Sequence, residues 1–185
     1  MVARFFGYGS LVNRATHDYP GAQAARLLGW RRVWVHVATR PVAFLSVRPV
    51  PGAAILGLVA EVPGGDWAAL DLREAAYARH GVTVEVAGAA LPAQIYAVPA
   101  AAGRAPVAAH PVLLSYLDAV VQGFGRAFGE EGVQDFFATT EGWNAPVLDD
   151  RASPRYPRAQ DLTRAERAAV DAGLASVGAR VIRPA

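Results

Sequence analysis

The sequence contains no cysteine and no lysine, and both absences exclude whole classes of chemistry. Without cysteine the 185-residue chain can form no disulfide, thiolate nucleophile, zinc–thiolate site or iron–sulfur ligation. All 18 basic residues are arginine, so a Schiff-base lysine and the lysine of a phosphate-binding P-loop are excluded as well. The nucleophiles and bases that remain are oxygen groups and imidazoles.

Strong charge and long apolar runs are also missing. The formal net charge is only +2 and the arginines are dispersed, so no nucleic-acid partner is predicted. No apolar run approaches the roughly 20 residues that span a bilayer. The N-terminal segment reaches Gly7 too soon to form a signal peptide. We therefore expect a cytoplasmic protein with no membrane partner, and the sequence indicates no oligomeric state.

The first hundred residues are typical of short strands, most of them separated by Gly and Pro. The predicted strands are 2–8, 23–28, 31–38, 43–48, 54–62, 82–87 and 92–98. One segment breaks this pattern, because Asp66 offers an N-cap and residues 67–79 contain Ala, Leu, Arg and Glu without Gly or Pro. We predict a helix there.

Beyond residue 111 the periodicity becomes helical. One apolar stripe consists of Leu113, Tyr116, Leu117, Val120, Val121, Phe124 and Phe128. A short helix is predicted at 132–139, an irregular proline-containing strap at 142–161, and a last helix at about 163–177 that begins with a capping box of Thr163 and Glu166. The chain, 53% hydrophobic, is thus expected to form a single α+β domain over 1–185. Its strand-rich N-terminal half is expected to curl into a barrel-like mixed sheet, with helices following.

The segment 6–11, Phe-Gly-Tyr-Gly-Ser-Leu, is the first candidate for a functional site. Glycines at such a turn allow successive backbone N–H groups to point into one concavity, which can hold a carboxylate or an oxyanion. The segment lacks the later glycine of a dinucleotide fingerprint and the lysine of a P-loop. On composition alone, a plain strand-to-loop turn is the commoner explanation.

The predicted helix 66–79 is the second candidate, because one of its faces places a carboxylate among apolar side chains. That face consists of Trp67, Leu70, Glu74 and Tyr77. Burial would raise the pKa of Glu74 toward values that suit an acid or base near neutral pH. Arg73 is expected to point elsewhere. A competing apolar stripe of Ala68, Leu72, Ala75 and Ala76 would instead expose Glu74 to solvent, and periodicity leaves both alternatives open.

Together, segments 6–11 and 70–77 resemble the gamma-glutamylcyclotransferase family in its broad sense, which includes ChaC-like and avirulence-induced-gene-like members. In that family a Tyr-Gly-Ser turn after an N-terminal strand binds the gamma-glutamyl group, and a Leu-Asp-x-x-Glu helix supplies the catalytic glutamate. The resemblance implies Glu74 as the catalytic residue. It implies the following substrate-binding residues: Tyr8, Gly9, Ser10, Leu11 and Tyr116.

The resemblance also implies a reaction. The family releases 5-oxoproline from a small gamma-glutamyl substrate, which can be glutathione, a gamma-glutamyl amino acid or a gamma-glutamylamine. The alpha-amine of the substrate attacks its own gamma-carbonyl, so the reaction needs no cofactor and no metal. Ala75-Ala76 and Val12-Asn13 replace residues that are common in the family, and the leaving amine is therefore not predicted.

Two other functions are compatible with the sequence. The same scaffold could bind a small molecule without turnover, since a fold does not imply a chemistry. Alternatively, Ser10 could be the nucleophile of an amide hydrolase with a histidine as base, although Val12 interrupts the Gly-x-Ser-x-Gly pattern. The four histidines are scattered without metal-ligand spacing, so no metal site is predicted.

Overall fold

Five strands form a closed barrel in the N-terminal half of the computed structural model, which describes residues 2–38, 40–105, 107 and 109–184. The strands are β1 (Arg4–Gly7), β2 (Gln23–His36), β3 (Ala43–Glu61), β4 (Ala78–Val86) and β5 (Ala89–Ala97). Their order is β3-β1-β5-β4-β2, and β2 pairs again with β3 to close the ring. Only β1 and β5 are parallel neighbours, so the barrel is mixed. The expectation of an α+β fold with a curled mixed sheet is confirmed.

Two pairs of predicted strands are continuous in the structure. Predicted strands 23–28 and 31–38 are both part of β2, and 43–48 and 54–62 are both part of β3. The register between β2 and β3 shifts between Leu28 and Trp30, where Gly29 has a φ of 77°. Glycine adopts this conformation readily, so it forms a bulge within the strand, where we had predicted a break between two strands.

Helix α1 covers only Ala68–Arg73, and the prediction of a helix to residue 79 is wrong. The Asp66 carboxylate accepts a hydrogen bond from the Ala68 N–H (3.0 Å) at its start. The chain leaves the helix after Arg73 because Ala78 already pairs with Ala97 in the β4–β5 ladder. Tertiary pairing here overrides the local helix propensity.

The buried face of α1 decides between the two stripes that the sequence left open. Leu70 is fully buried, in an apolar cluster with Phe5 and Tyr96. Leu72 belongs to the competing stripe and is 79% exposed. The Leu70 face therefore packs against the barrel wall. Glu74, at the end of the helix, lies on the same side, and its side chain is largely buried.

Two longer helices pack against the barrel. Helix α2 (Leu114–Ala138) buries most of the predicted apolar stripe, and Gly129 interrupts it with a φ of 68° before the part predicted as a separate helix. Helix α3 (Arg164–Ser176) begins with the Thr163–Glu166 capping box. No helix within the described residues is long and apolar enough to cross a membrane.

The strap, residues 142–161, crosses the surface beside α2. Apart from β8 (Val147–Leu148) it contains neither helix nor strand. Three further short strands complete the set within the described residues: β6 (Val112–Leu113) and β9 (Val181–Ile182) flank β8, and β7 (Thr140–Glu141) extends the barrel sheet beside β2. Asp150 is buried and accepts hydrogen bonds from the Ser115 N–H (2.8 Å) and Ser115 Oγ (2.6 Å). Arg151 forms a two-pronged ion pair with Asp118 (2.7 and 2.8 Å). These contacts anchor the strap to α2.

Candidate active site

The turn that follows β1 is shaped by glycines that the packing requires. A Cβ on Gly7 would lie 2.6 Å from the Leu11 Cβ, and a Cβ on Gly9 would lie 2.7 Å from the Tyr116 hydroxyl. The chain then forms a 3-10 turn over Ser10–Val12, in which the Val12 N–H donates to the Gly9 carbonyl (2.9 Å). The first N–H groups of such a turn have no acceptor within it. The Ser10 N–H bonds to the Tyr116 hydroxyl oxygen, so a ligand oxygen that binds it must share or replace that contact.

Tyr8 is fixed from both ends. Its hydroxyl donates to the Tyr96 carbonyl (2.6 Å), and its own carbonyl accepts from Arg32 Nε (3.0 Å). Burial raises the pKa of Tyr8 well above its ordinary value, so the phenol is neutral. Tyr8 therefore holds the turn on the barrel, with its hydroxyl already bonded to protein.

Arg73 lines the outer cleft and contacts both Glu74 and Ser10, and the expectation that it points elsewhere is wrong. Its Nε is 3.2 Å from Glu74 Oε1, its Nη2 donates to Ser10 Oγ (3.2 Å), and its Nη1 donates to the Thr16 carbonyl (2.9 Å). The side chain is only 9% exposed. The earlier expectation assumed a helix through residue 79. Because α1 ends at Arg73, helical spacing does not set the direction of this side chain.

Glu74 caps the C-terminus of α1. Its N–H donates to the Leu70 carbonyl (2.9 Å), and its φ of −102° and ψ of 28° depart from the helix. The carboxylate is 16% exposed. Burial raises the pKa of Glu74, while the positive charges of Arg73 and then Arg158 act in the opposite direction, and burial prevails.

All six residues that the resemblance implied lie around one small space, the inner chamber. Its volume is about 30 Å³, room for about one water molecule. The lining residues are Phe6, Gly7, Tyr8, Gly9, Ser10, Leu11, Leu45, Glu74, Tyr77, Tyr96 and Tyr116. The turn and the buried carboxylate thus face the same point, as expected if proton transfer and oxyanion binding serve one reaction.

A larger space of about 730 Å³, the outer cleft, adjoins the inner chamber. The two share five lining residues: Ser10, Leu45, Glu74, Tyr77 and Tyr116. Its other walls come from α1, from the segment 40–45 and from the strap, which contributes Tyr156 and Arg158. Because the strap lies far along the chain from the turn, the sequence offered no spacing that linked them.

Aromatic side chains form the boundary between chamber and cleft. The Tyr116 ring packs edge-on against Trp34 (6.0 Å between centroids) and against Tyr156 (5.1 Å). The Tyr77 hydroxyl donates to the Leu45 carbonyl (3.1 Å). Burial raises the pKa of Tyr77 and Tyr116, so both phenols are neutral. The sequence pointed to Tyr116 but gave Tyr77 only as part of an inward face.

The histidines lie outside both spaces. His17 Nε2 is 3.0 Å from the Leu11 carbonyl, and His36 stacks on His110 with 4.1 Å between ring centroids. Neither the chamber nor the cleft is lined by histidine in the part of the chain that the structure describes. Among those same residues, no group of three or more His, Asp or Glu could hold a metal ion.

Comparison with known families identifies the relationship. The model of the family described as gamma-glutamyl cyclotransferase, AIG2-like, matches residues 5–113, which is more than half of the chain. The chain belongs to this family. The matched range contains the turn and Glu74 but ends just before Tyr116 and the strap. A comparison with curated protein sequences finds no significant match.

Solved structures show the same fold at low sequence identity. A structure titled gamma-glutamyl cyclotransferase superposes with a TM-score of 0.61 at 15% identity, over 93% of this chain and 99% of that one. An uncharacterized protein from Homo sapiens gives 0.60 at 14% identity, over 91% and 98%. A yeast gamma-glutamyl cyclotransferase specific to glutathione gives 0.50 at 13% identity, over 95% and 96%. At these identities the likeness concerns the fold.

Proposed function

We propose that this chain is a gamma-glutamylcyclotransferase that releases 5-oxoproline, with Glu74 as the catalytic acid–base. One observation carries the proposal: a largely buried carboxylate and the glycine turn at Gly9–Ser10 line the same chamber. Membership of the gamma-glutamyl cyclotransferase, AIG2-like family supports the reaction type. The substrate is a small molecule that carries a gamma-glutamyl group.

The reaction joins two ends of one substrate. The alpha-amine nitrogen attacks the gamma-carbonyl carbon, the new C–N bond closes a five-membered ring, and the carbonyl electron pair moves to oxygen. Glu74 takes the proton that the attacking nitrogen loses and returns it to the leaving nitrogen as the old C–N bond breaks. The products are 5-oxoproline and an amine, and no water is consumed.

Intramolecular attack sets what the protein must supply. Ring closure has a large effective molarity once the chain of the substrate is folded, and the cost of presenting a neutral alpha-amine at pH 7 is only about 1.4 kcal/mol. Glu74 is suited to the proton transfer because burial raises its pKa toward neutrality. We assign the developing oxyanion to the N–H groups of Ser10 and Leu11, at the start of the 3-10 turn, where it would replace the Tyr116 hydroxyl oxygen as the acceptor for the Ser10 N–H.

The contacts of Ser10 disfavour the hydrolase alternative. Ser10 Oγ accepts a hydrogen bond from Arg73 Nη2 (3.2 Å), and a guanidinium cannot serve as a general base. No histidine lines the chamber within the described ranges, so none is positioned to activate the hydroxyl. Replacement of Ser10 by Ala should therefore reduce turnover only modestly. A covalent acyl-serine adduct detected by mass spectrometry would favour the hydrolase instead.

The decisive experiment is release of 5-oxoproline from a panel of glutathione, gamma-glutamyl amino acids and gamma-glutamylamines. Glu74→Gln should retain substrate binding, measured by calorimetry, and lose roughly 10²–10⁴-fold in turnover. Glu85→Gln, on an exposed part of β4, is the matched control and should behave as wild type. If the wild type binds one substrate tightly and turns over none, the chain is a binding domain. Equal turnover by Glu74→Gln would contradict the role of Glu74.

A further inference from the structure

The outer cleft carries a marked excess of positive charge. Four of its lining residues are arginines, namely Arg40, Arg73, Arg155 and Arg158, and Glu74 is the one acid among the described residues that line it. Arg73 is committed to Glu74, Ser10 and Thr16. None of the other three forms an ion pair within residues 2–38, 40–105, 107 and 109–184. Glu74 is therefore the one acid that offsets four arginines around one concave space, since the charge of Arg158 also acts on its carboxylate, and field lines are focused in such a space.

The backbone that carries two of these arginines is held in place by the buried anchor of the strap. The Arg155 N–H donates to Asp150 Oδ2 (2.9 Å), and the Tyr156 N–H donates to Ser115 Oγ (3.2 Å). The Ala159 N–H donates a hydrogen bond to the Tyr156 carbonyl (3.0 Å), and this bond closes a turn that contains Arg158. A backbone ordered before binding lowers the entropic cost of recognising a ligand.

The sizes of the two spaces show that the outer cleft must hold most of the substrate, including its leaving amine. The inner chamber holds about 30 Å³, whereas the outer cleft holds about 730 Å³. Glu74 lines both, so a scissile amide beside its carboxylate must extend its remaining atoms into the cleft. The substrate's own alpha-carboxylate can occupy one arginine. The remaining cations are left to face the amine that departs.

Building on the cyclotransferase function proposed above, we propose that the outer cleft selects gamma-glutamyl substrates whose leaving amine carries a carboxylate. Arg40, Arg155 and Arg158 are the specificity-determining residues, because guanidinium–carboxylate pairs are charge-assisted and directional. Amino acids and peptides are leaving groups of this class. A leaving group that bears an ammonium, such as a diamine, would meet like charge and be disfavoured.

A matched pair of substrates tests the inference: gamma-glutamyl-alanine and gamma-glutamyl-alaninamide, which differ only in the terminal carboxylate. We expect the wild-type kcat/KM to be at least about tenfold higher for the acid. Arg155→Gln and Arg158→Gln should each lower kcat/KM more for the acid than for the amide, mainly through KM. Arg158→Glu should bring the ratio below one. Arg26→Gln, on an exposed part of β2 outside the cleft lining, should leave the ratio unchanged.

The possible outcomes separate this inference from the function on which it rests. If the wild type releases 5-oxoproline equally fast from both compounds, the inference is wrong while the cyclotransferase function stands. If the arginine variants slow both compounds by the same factor, the arginines serve the shared gamma-glutamyl group, and the inference is again wrong. Absence of 5-oxoproline from every substrate in the panel would instead overturn the cyclotransferase function.

Discussion

Arg73 Nε and Glu74 Oε1 lie 3.2 Å apart although the two residues are neighbours in sequence. On a regular helix adjacent side chains diverge, but here the helix ends between them. The same guanidinium also bonds Ser10 Oγ, so one side chain connects the carboxylate to the glycine turn. Arg73 is thus a positioning residue: it holds the Glu74 carboxylate and the Ser10 hydroxyl in place, and its positive charge lies beside that carboxylate.

Loss of Arg73 should change the pH dependence as well as the rate. Arg73→Leu removes the largest influence that lowers the pKa of Glu74, so the acidic limb of the kcat/KM profile should move to higher pH. Misplacement of the turn should also reduce kcat by about 10²-fold. Arg73→Lys keeps the charge and should show a smaller shift of the limb. Arg79→Leu, whose partner is Asp71 (3.6 Å), should leave the limb in place.

Glu74→Gln should stabilise the protein near neutral pH while it lowers turnover. The pKa of Glu74 is raised by folding, so its contribution to stability is full below the unfolded-state pKa and is lost as pH rises through the folded-state value. Gln keeps the neutral form at every pH. In urea titrations the variant should exceed wild type at pH 7–8, and the gap should shrink as the pH is lowered toward 4. A gap independent of pH would contradict this origin.

Gly9→Ala should lower the melting temperature because the new methyl group would clash with the Tyr116 hydroxyl. The new Cβ would lie 2.7 Å from Tyr116 Oη and 3.2 Å from Leu45 Cδ2. Tyr116→Phe removes the nearer atom, so the double variant Gly9→Ala/Tyr116→Phe should recover part of the melting temperature that Gly9→Ala loses. Gly81→Ala, where the nearest contact is 3.7 Å, should melt like wild type. Strictly additive losses in the double variant would exclude the clash.

Arg32→Met should cost about 3–5 kcal/mol of unfolding free energy, measured by denaturant titration. The Arg32 side chain is fully buried, donates to the carbonyls of Tyr8 and Leu56, and lies 3.7 Å from Asp135. Its removal leaves these acceptors without their donor. Arg31→Met is the neighbouring control, since Arg31 forms a partly exposed pair with Glu141 (3.4 Å) and should cost less than about 1 kcal/mol. Equal losses would show that burial is not the cause.

The sequence was sufficient to predict the parts of the site that lie in contiguous segments. The turn at 6–11 is a contiguous motif, and its pairing with the segment that contains Glu74 allowed both to be recognised. Periodicity could not decide whether Glu74 is buried, because Leu70 and Leu72 belong to two competing apolar stripes. The structure resolves this by burying Leu70 in one apolar cluster with Phe5, a residue 65 positions away in the sequence.

What the sequence could not supply depends on where elements end and on long-range contacts. Arg73 joins the site only because α1 ends there, and that ending follows from pairing of Ala78 with β5. Likewise β2 was divided at Gly29 because a glycine bulge and a strand end have the same local signal. The arginines of the strap reach the cleft through contacts of Asp150 with α2, which no periodic pattern indicates.

The strap is fastened to helix α2 through Ser115 and Asp118, and it touches the barrel where Trp143 packs against Trp34 of β2, with 5.6 Å between ring centroids. Bond-making and most of the leaving-group recognition are therefore assigned to two modules, the barrel and the strap, and of the three proposed specificity residues only Arg40 lies within the family-matched range 5–113. Evolution could replace the strap and leave the barrel unchanged. Chimaeras that graft a foreign strap onto this barrel should accordingly inherit the donor's choice of departing amine together with this chain's own ring-closing step.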